Sequence, residues 1–362
     1  MIESYKRGIG KMNQKQLSGV EVQQAKLEKL GDKLIAMKEK IEWESFREII
    51  EKAIGKPNYA KGGRPAWDVI LMFKIVMLQQ WYNLSDGNME YQINDRLSFQ
   101  RFLGLECGEK VPDKNTIWDF KEALADTGTD RLLFDLFNRY LEEKGIITHK
   151  GSIVDATFVT KDKRHTSKKD DKSIKEGDCP HDLHKKCGER LEKGEIKDEE
   201  HVFNQMDFDA RWVKKGSESY FGHKNHIKCD LESKFIIGFT VTDASVHDSQ
   251  VLIDLISSDD KSVDLDSGYT GKKLEEEIKK KFPDLELNVC GRAYRNKALT
   301  EAEKAINKII SRRRCRIEHI FGYMTRFMGG LILRCHGIKR VYRDICNKNL
   351  AYNLKRFVCI AG

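Results

Sequence analysis

Three acidic residues stand where a carboxylate has a chemical use. Asp155 lies in the apolar run SIVDATFV, where burying a charge is costly unless something compensates it. Asp266 lies in VDLDSGY, where Gly268 allows a sharp turn. Glu318 lies among arginines in SRRRCRIEHIFGYM, and for this residue alone the simplest interpretation is an ion pair on an exposed helix face.

Clustered carboxylates predict a particular chemistry. Three of them repel one another unless a cation lies between them, and oxygen ligands favour Mg²⁺ or Mn²⁺. Two such ions, about 3.5–4 Å apart, support an in-line displacement at phosphorus. If the three acids converge, the pattern predicts a metal-dependent enzyme that acts on phosphodiesters.

A mixed sheet with flanking helices would position these acids. Apolar residues recur at helical spacing from Ile306 to Met328, so Glu318 and Arg314 share one face of a long helix. Before it, the pattern predicts strands at Ser152–Val159, Tyr220–Leu231, Phe235–Val241, Ser262–Asp266 and Leu285–Cys290, and helices at His247–Ser257 and Lys272–Phe282. If the first and fourth strands are neighbours, the acids meet at the carboxyl edge of an α/β sheet.

The first part of the chain is predicted to be helical. After a leader over residues 1–19, helices are expected over residues 20–40 and 42–54, from Trp67, and over Ser85–Asn94, Ser98–Leu103, Asn115–Ala125 and Asp130–Glu143. The three short helices within residues 85–125 would suit a helix-turn-helix-like DNA reader, or they serve only to pack. Both interpretations stay open at this point.

Composition and charge narrow the class of protein. The longest apolar run, Val69–Leu78, is about half the roughly 20 residues that a membrane span needs. The absence of a signal-peptide-like stretch and the scattered cysteines favour a reducing cytosolic compartment. From Ser311 to Phe357, nine arginines and three lysines face two acids, a local excess above the chain's net charge of +8. Such a region favours a nucleic-acid partner, although an acidic protein surface would also fit.

A charged stretch over residues 161–200 is predicted to be a surface insertion. It contains CPHDLHKKC, in which Cys179, His181, His184 and Cys187 lie within nine residues. Their spacing matches none of the usual structural zinc sites, so zinc is disfavoured but left open.

Several ordered sequence blocks resemble the DDE transposases of bacterial and archaeal insertion sequences, most closely the insertion-sequence-five family. The blocks GRPAWDVILMFKIVMLQQWYNLSD, DRLSFQRFLGL and VPDKNTIWDF resemble that family's N-terminal domain. GSIVDATFV, DFDARWVKKGSESYFGHKNHI, VTDASVHDSQ, LDSGY and RCRIEHIFGYMTRF resemble its catalytic domain. The resemblance covers nearly the whole chain.

The resemblance implies a ribonuclease H-like catalytic domain over residues 146–362, preceded by a helical DNA-binding domain over residues 20–145. It implies that Asp155, Asp266 and Glu318 are the catalytic metal ligands for Mg²⁺ or Mn²⁺, and that Arg314 is the family's arginine four residues before the glutamate. Two positions depart from the family's pattern. Where the family has a tyrosine, this chain has Ser311, and where the family has a lysine seven residues after the glutamate, it has Thr325. The neighbouring Arg326 is a candidate substitute for that lysine.

The implied partner is double-stranded DNA, both the terminal inverted repeats of the element and its target, handled by a homo-oligomer in the cytoplasm at the nucleoid. The residues expected to hold DNA phosphates are Arg312, Arg313, Arg314, Arg316, Arg326 and Arg340. Two alternatives remain. One is a metal-dependent nuclease of the same fold, and the other is a DNA-binding relative that has lost the reaction.

Overall fold

The computed structural model describes residues 14–55, 66–161, 165–167, 171–172, 207–293 and 298–361. Most of the predicted leader and of the 161–200 insertion, including Cys179, His181, His184 and Cys187, lies outside the described residues. The first described part of the chain is helical, with α1 (Gln14–Lys29), α2 (Lys33–Lys40), α3 (Arg47–Ile54), α4 (Val69–Tyr82), α5 (Asp86–Asp95), α6 (Leu97–Leu103), α7 (Lys114–Thr127) and α8 (Thr129–Glu143).

Local chemistry sets the ends of these helices. The Asp68 side chain accepts hydrogen bonds from the backbone N–H groups at the start of α4, and Asp113 does the same for α7. Gly128 ends α7 in the left-handed conformation. Gly31, with a φ of 78°, divides the helix that had been expected over residues 20–40 into α1 and α2.

A mixed sheet follows, with the strands β1 (Ser152–Lys161), β2 (Arg211–Lys215), β3 (Glu218–Asp230), β4 (Ile236–Asp243), β5 (Ser262–Leu265), β6 (Glu286–Val289) and β7 (Ile332–Leu333). β3 is antiparallel to β1 on one side and to β2 and β4 on the other. β5 and β7 lie parallel to β1 on its other side, and β6 lies parallel to β5. The predicted neighbourhood of the first strand and Ser262–Leu265 is therefore present.

Four more helices pack on this sheet, namely α9 (Leu252–Leu255), α10 (Lys272–Lys281), α11 (Glu301–Phe327) and α12 (Ile338–Ile360). The helix expected over His247–Ser257 is instead a 3-10 turn, Asp248–Val251, followed by the single turn of α9. The long helix α11 is entered through a capping box, in which Thr300 and Glu303 satisfy each other's backbone N–H groups.

The main hydrophobic core runs from the helical part into the sheet. Buried side chains of α4, α8, β1, α11 and α12 belong to one continuous cluster, and a smaller cluster lies on the opposite face of β1. The step from helices to strands falls between Glu143 and Ser152, so the predicted boundary at residue 145 marks a change of element type within one packed body. Within the described part of the chain, none of the helices is both long and apolar enough to cross a membrane.

Candidate active site

The first predicted acid lies in the middle of β1. Asp155 stands two residues after Ile153, so both side chains point to the same face of the sheet. Ile153 is the register partner of Asp264 on β5, so Asp264 and Asp266 belong to that face as well. β1 and β5 are parallel, which brings Asp155 in the middle of β1 beside Asp266 at the carboxyl end of β5.

The turn after β5 fixes Asp266. Its Oδ1 accepts a 2.7 Å hydrogen bond from the backbone N–H of Gly268, and its backbone C=O accepts one from the N–H of Tyr269 at 3.2 Å. A Cβ atom on Gly268 would lie 2.9 Å from Asp266 Oδ1. Glycine therefore keeps this carboxylate close against its own turn and aimed at the sheet edge.

Arg314 of α11 brings the two aspartates together. Its Nη2 donates a hydrogen bond of 2.9 Å to Asp155 Oδ2 and lies 3.9 Å from Asp266 Oδ2. The Arg314 side chain is 15% exposed and that of Asp155 is 22% exposed. One guanidinium thus supplies the positive charge that two converging carboxylates require.

Burial dominates the electrostatics of Asp155. Loss of water raises the pKa of its carboxyl, and the nearby Asp266 raises it further. The guanidinium of Arg314 and the N–H of Ala156, which donates at 2.8 Å, act in the opposite direction. The carboxylate would therefore gain from a stronger cation than one shared arginine, and its hard oxygen donors suit a divalent ion.

Glu318 does not join the two aspartates in this conformation. It lies one turn beyond Arg314 on α11 and is exposed. Among the residues that the structure describes, no three histidine, cysteine, aspartate or glutamate side chains come close enough to hold a metal ion. The structure thus brings together two of the three predicted ligands, with Arg314 between them.

Most of the arginines expected to hold DNA phosphates are engaged within the protein. Arg313 lies against the buried Asp264, with nitrogen–oxygen distances of 2.7 and 2.8 Å. Arg316 donates to the backbone C=O of Leu231. Arg340 pairs with Glu122 at 2.9 Å.

Two arginines of the set expected to hold DNA phosphates, Arg312 and Arg326, form no ion pair among the described residues. Arg312 is exposed on α11, and Arg326, also exposed, stacks on the neighbouring Phe327 at 5.8 Å. These are the arginines of the predicted set that can meet an incoming phosphate without breaking an internal bond.

Tyr269 is a site residue that sequence reasoning missed. It is 2% exposed, and its hydroxyl has no hydrogen-bond partner among the described residues. Burial raises the pKa of this hydroxyl strongly, as do the charges of Asp155, Asp248 and Asp266. The only sequence signal was its place in LDSGY, directly after the acid.

Further polar residues near the sheet have structural roles. His247 caps the 3-10 turn by accepting from the N–H of Ser249. Asp248 pairs with Lys224 at 2.9 Å. Asp207 and Asp209 accept hydrogen bonds from the backbone N–H groups of Gly337 and Ile338 at the start of α12.

Two family comparisons bear on this site. Residues 21–123 match the family described as "Transposase domain (DUF772)", and residues 147–354 match the family described as "Transposase DDE domain". The second match spans more than half of the chain and contains Asp155, Asp266, Arg314 and Glu318.

One solved structure is distantly similar. It is the cryo-EM structure of the piggyBac transposase synaptic complex with hairpin DNA, with a TM-score of 0.44 and 10% sequence identity over 88% of this chain and 72% of that chain. At that TM-score the likeness adds no weight to the family matches.

Proposed function

Because the chain belongs to the transposase DDE domain family, we propose that it binds the terminal inverted repeats of its own insertion sequence, cuts at the ends and joins the freed 3′ hydroxyl groups to target DNA. The region that matches the DUF772 domain precedes the region that matches the DDE domain, which is the arrangement of transposases of the insertion-sequence-five type. DNA cleavage and strand transfer are the reaction of this family.

Asp155, Asp266 and Glu318 are the proposed metal ligands. DDE domains use divalent metal ions, and we assign Mg²⁺ or Mn²⁺ from the oxygen-only donors of this site. The position of Arg314 supports the assignment because a positive charge is already held between the two aspartates. Glu318 is one helical turn away and would complete the set by a change of side-chain conformation.

Bound divalent ions would activate the attacking oxygen and stabilise the leaving oxygen at the cut phosphate. Residues of the chain hold the metal ligands and the helix α11 in position. The turn from Asp266 to Tyr269 fixes one ligand, and the ion pair between Arg313 and Asp264 fixes α11 against β5. Arg314 is placed to hold a DNA phosphate at the aspartate pair.

The exposed cations Arg312 and Arg326 are proposed to hold DNA backbone phosphates on either side of the site. Contacts of this kind position DNA without reading its sequence. Recognition of the terminal repeats is therefore assigned to the N-terminal helices. Two ends must be cut and joined together, which implies a homo-oligomer on DNA.

The convergence of Asp155 and Asp266 on one cation, at the carboxyl end of β5, carries this proposal. The test is a supercoiled donor plasmid that carries the DNA flanking the coding sequence, incubated with target plasmid and Mg²⁺. Wild-type protein should release the element and form joined products. Asp155→Asn should form none and should retain duplex binding, because it removes a metal ligand and leaves the fold unchanged.

The same assay separates the alternatives. Cut ends without any joined product would identify a nuclease of the same fold. Binding without cutting by the wild-type protein would identify a non-catalytic relative. Loss of duplex binding in Asp155→Asn would argue against a metal-ligand role for that residue.

A further inference from the structure

A second cleft lies outside the aspartate site. It has a volume of about 290 Å³ and lies between the helical part and the segment that follows α11. Its walls are the end of α4, the start of α5, part of α7, β7 and the first half of α12. The residues that matter here are Gln80, Asn83, Asp86, Lys121, Arg334, Arg340, Arg343, Asp344 and Lys348.

Part of the charge in this cleft is balanced. Lys121 pairs with Asp86 at 2.6 Å. Arg340 and Arg343 both contact Glu122, and Arg343 also pairs with Asp344 at 2.8 Å. These contacts account for every acid on the walls and leave two cations over.

Lys348 and Arg334 are those two cations. The Nζ of Lys348 donates to the backbone C=O of Met328 at 2.8 Å and to that of Gln80 at 3.4 Å, and the residue is 4% exposed. Arg334 donates to the side-chain oxygen of Asn83 at 3.2 Å and lies at the exposed rim. Neither forms an ion pair with a carboxylate in the described ranges. Burial lowers the pKa of Lys348 to about 8, with Asp344 acting in the opposite direction and Arg334 lowering it further.

One wall of the cleft is connected to the strand that carries Asp155. β7 pairs with the end of β1 at Thr160, five residues beyond Asp155. Five residues of strand span about 17 Å. Phosphates along one DNA strand recur about every 3.4 Å of helix axis, so for a duplex whose axis runs along β1 this distance corresponds to about five base pairs.

We propose that the cleft binds a backbone phosphate of the DNA duplex, about five base pairs from the phosphate that the aspartates act on. This inference rests on the proposed function, because it takes the DNA held at Asp155 and Asp266 as the ligand. Lys348 supplies the charge at the floor of the cleft, and Arg334 closes over the phosphate from the rim. The site links the helical part of the protein to the catalytic sheet through one DNA contact.

The first test is the salt dependence of duplex binding, measured by fluorescence anisotropy with DNA from the flank of the coding sequence. Arg334→Gln and Lys348→Met should each weaken binding roughly fivefold to tenfold near 0.1 M salt. Each should also reduce the slope of log affinity against log salt by about 0.9, the value for one phosphate contact. Lys280→Gln, an exposed lysine at the end of α10, is the matched control and should change neither quantity.

The second test locates the contact on the DNA. Neutral methylphosphonate linkages are placed one at a time along the duplex. Wild-type protein should lose affinity at a linkage about five nucleotides from the cut. Arg334→Gln, whose rim position spares the fold, should be insensitive at that linkage and still sensitive at the others.

Equal slopes and equal methylphosphonate profiles for wild type and both variants would overturn the inference. It would also be overturned if inorganic phosphate raised the melting temperature of the wild type while DNA affinity stayed the same in both variants. Failure of the proposed function looks different. In that case the wild-type protein would neither cut nor join the donor plasmid, whatever these variants do.

Discussion

The guanidinium of Arg314 and the carboxylate of Asp155 are joined by a 2.9 Å hydrogen bond, although 159 residues separate them in the chain. Both side chains are mostly buried, and the same nitrogen also faces Asp266. The arginine therefore occupies the place at which the site needs positive charge. A divalent ion that binds both aspartates has to compete with it.

This competition predicts the behaviour of Arg314→Gln. Without the guanidinium, the two carboxylates repel, and the metal-free protein should lose about 1–3 kcal/mol of stability. Mn²⁺ should then raise the melting temperature more in the variant than in wild type, because no internal cation has to leave. Arg326→Gln is the control, since Arg326 stacks on Phe327 and faces no described acid. A larger Mn²⁺ response in wild type would contradict the prediction.

The ion pair between Arg313 and Asp264 is predicted to hold α11 on the sheet. Asp264 is 1% exposed, so removing its partner leaves a buried charge. Arg313→Leu should cost about 1–3 kcal/mol, a value reduced for the partial exposure of the arginine. The double variant with Asp264→Leu should lose less than the sum of the two single variants in urea unfolding. Additive losses would mean that the two side chains do not stabilise each other.

Asp130 predicts a pH-dependent stability. Burial raises the pKa of this carboxyl to about 7, although Asn347 donates to it at 2.7 Å. The folded protein therefore keeps a proton that the unfolded chain releases near its ordinary pKa of 3.8. Stability should fall as pH rises from about 4 to about 7, by on the order of 2–4 kcal/mol.

Asp130→Asn should remove this slope. The measurement is the free energy of unfolding in urea at several pH values across that window, compared with wild type. Asp126→Asn, an exposed acid of α7, should keep the wild-type slope. An unchanged slope in Asp130→Asn would mean that another group titrates.

Asn353 is predicted to be a stability residue of α12. It is fully buried, accepts from the backbone N–H of Ile236 at 2.9 Å and donates to the C=O of the same residue at 2.8 Å. Asn353→Leu leaves both backbone groups without these partners and should cost about 2–4 kcal/mol in urea unfolding. Asn94→Ala, which loses one bond inside α5, should cost under about 0.5 kcal/mol. Similar losses for the two variants would argue against the role of Asn353.

The sheet could be read from the sequence because its strands alternate or cluster apolar residues in short runs. The strands at residues 152, 220, 235, 262 and 285 all appear within a few positions of the expected ones, and the prediction of a mixed α/β sheet is confirmed. β2 was not predicted. Its sequence, RWVKK, is short and mostly charged, so it carries little apolar signal.

The helix α12 was also not predicted, for a different reason. Its buried residues include Asn347, Lys348, Asn349 and Asn353, at positions where a packed helix normally has apolar residues that make it recognisable in the sequence. These side chains form hydrogen bonds with residues far away in the chain, such as Asp130 and Ile236. The hydrophobic periodicity of a short stretch of sequence does not show such distant partners.

The candidate site was only partly predictable for the same reason. Side-chain type and spacing predicted that Asp155 and Asp266 would meet, because parallel neighbouring strands end at one edge. The same reasoning assigned Arg313, Arg316 and Arg340 to DNA phosphates. Each of them instead contacts an oxygen of the protein that the linear sequence does not show to be near.

Because α12 packs between the helical part and the sheet, the core can be completed only after the last segment of the chain has been synthesised. Val341, Leu350 and Leu354 complete the core that the earlier helices and strands begin. A nascent chain with this segment still in the ribosomal exit tunnel would expose that apolar surface and lack the closing asparagine contacts. We therefore expect protein made by interrupted translation before residue 338 to be a target of chaperones and proteases, not a shorter working transposase.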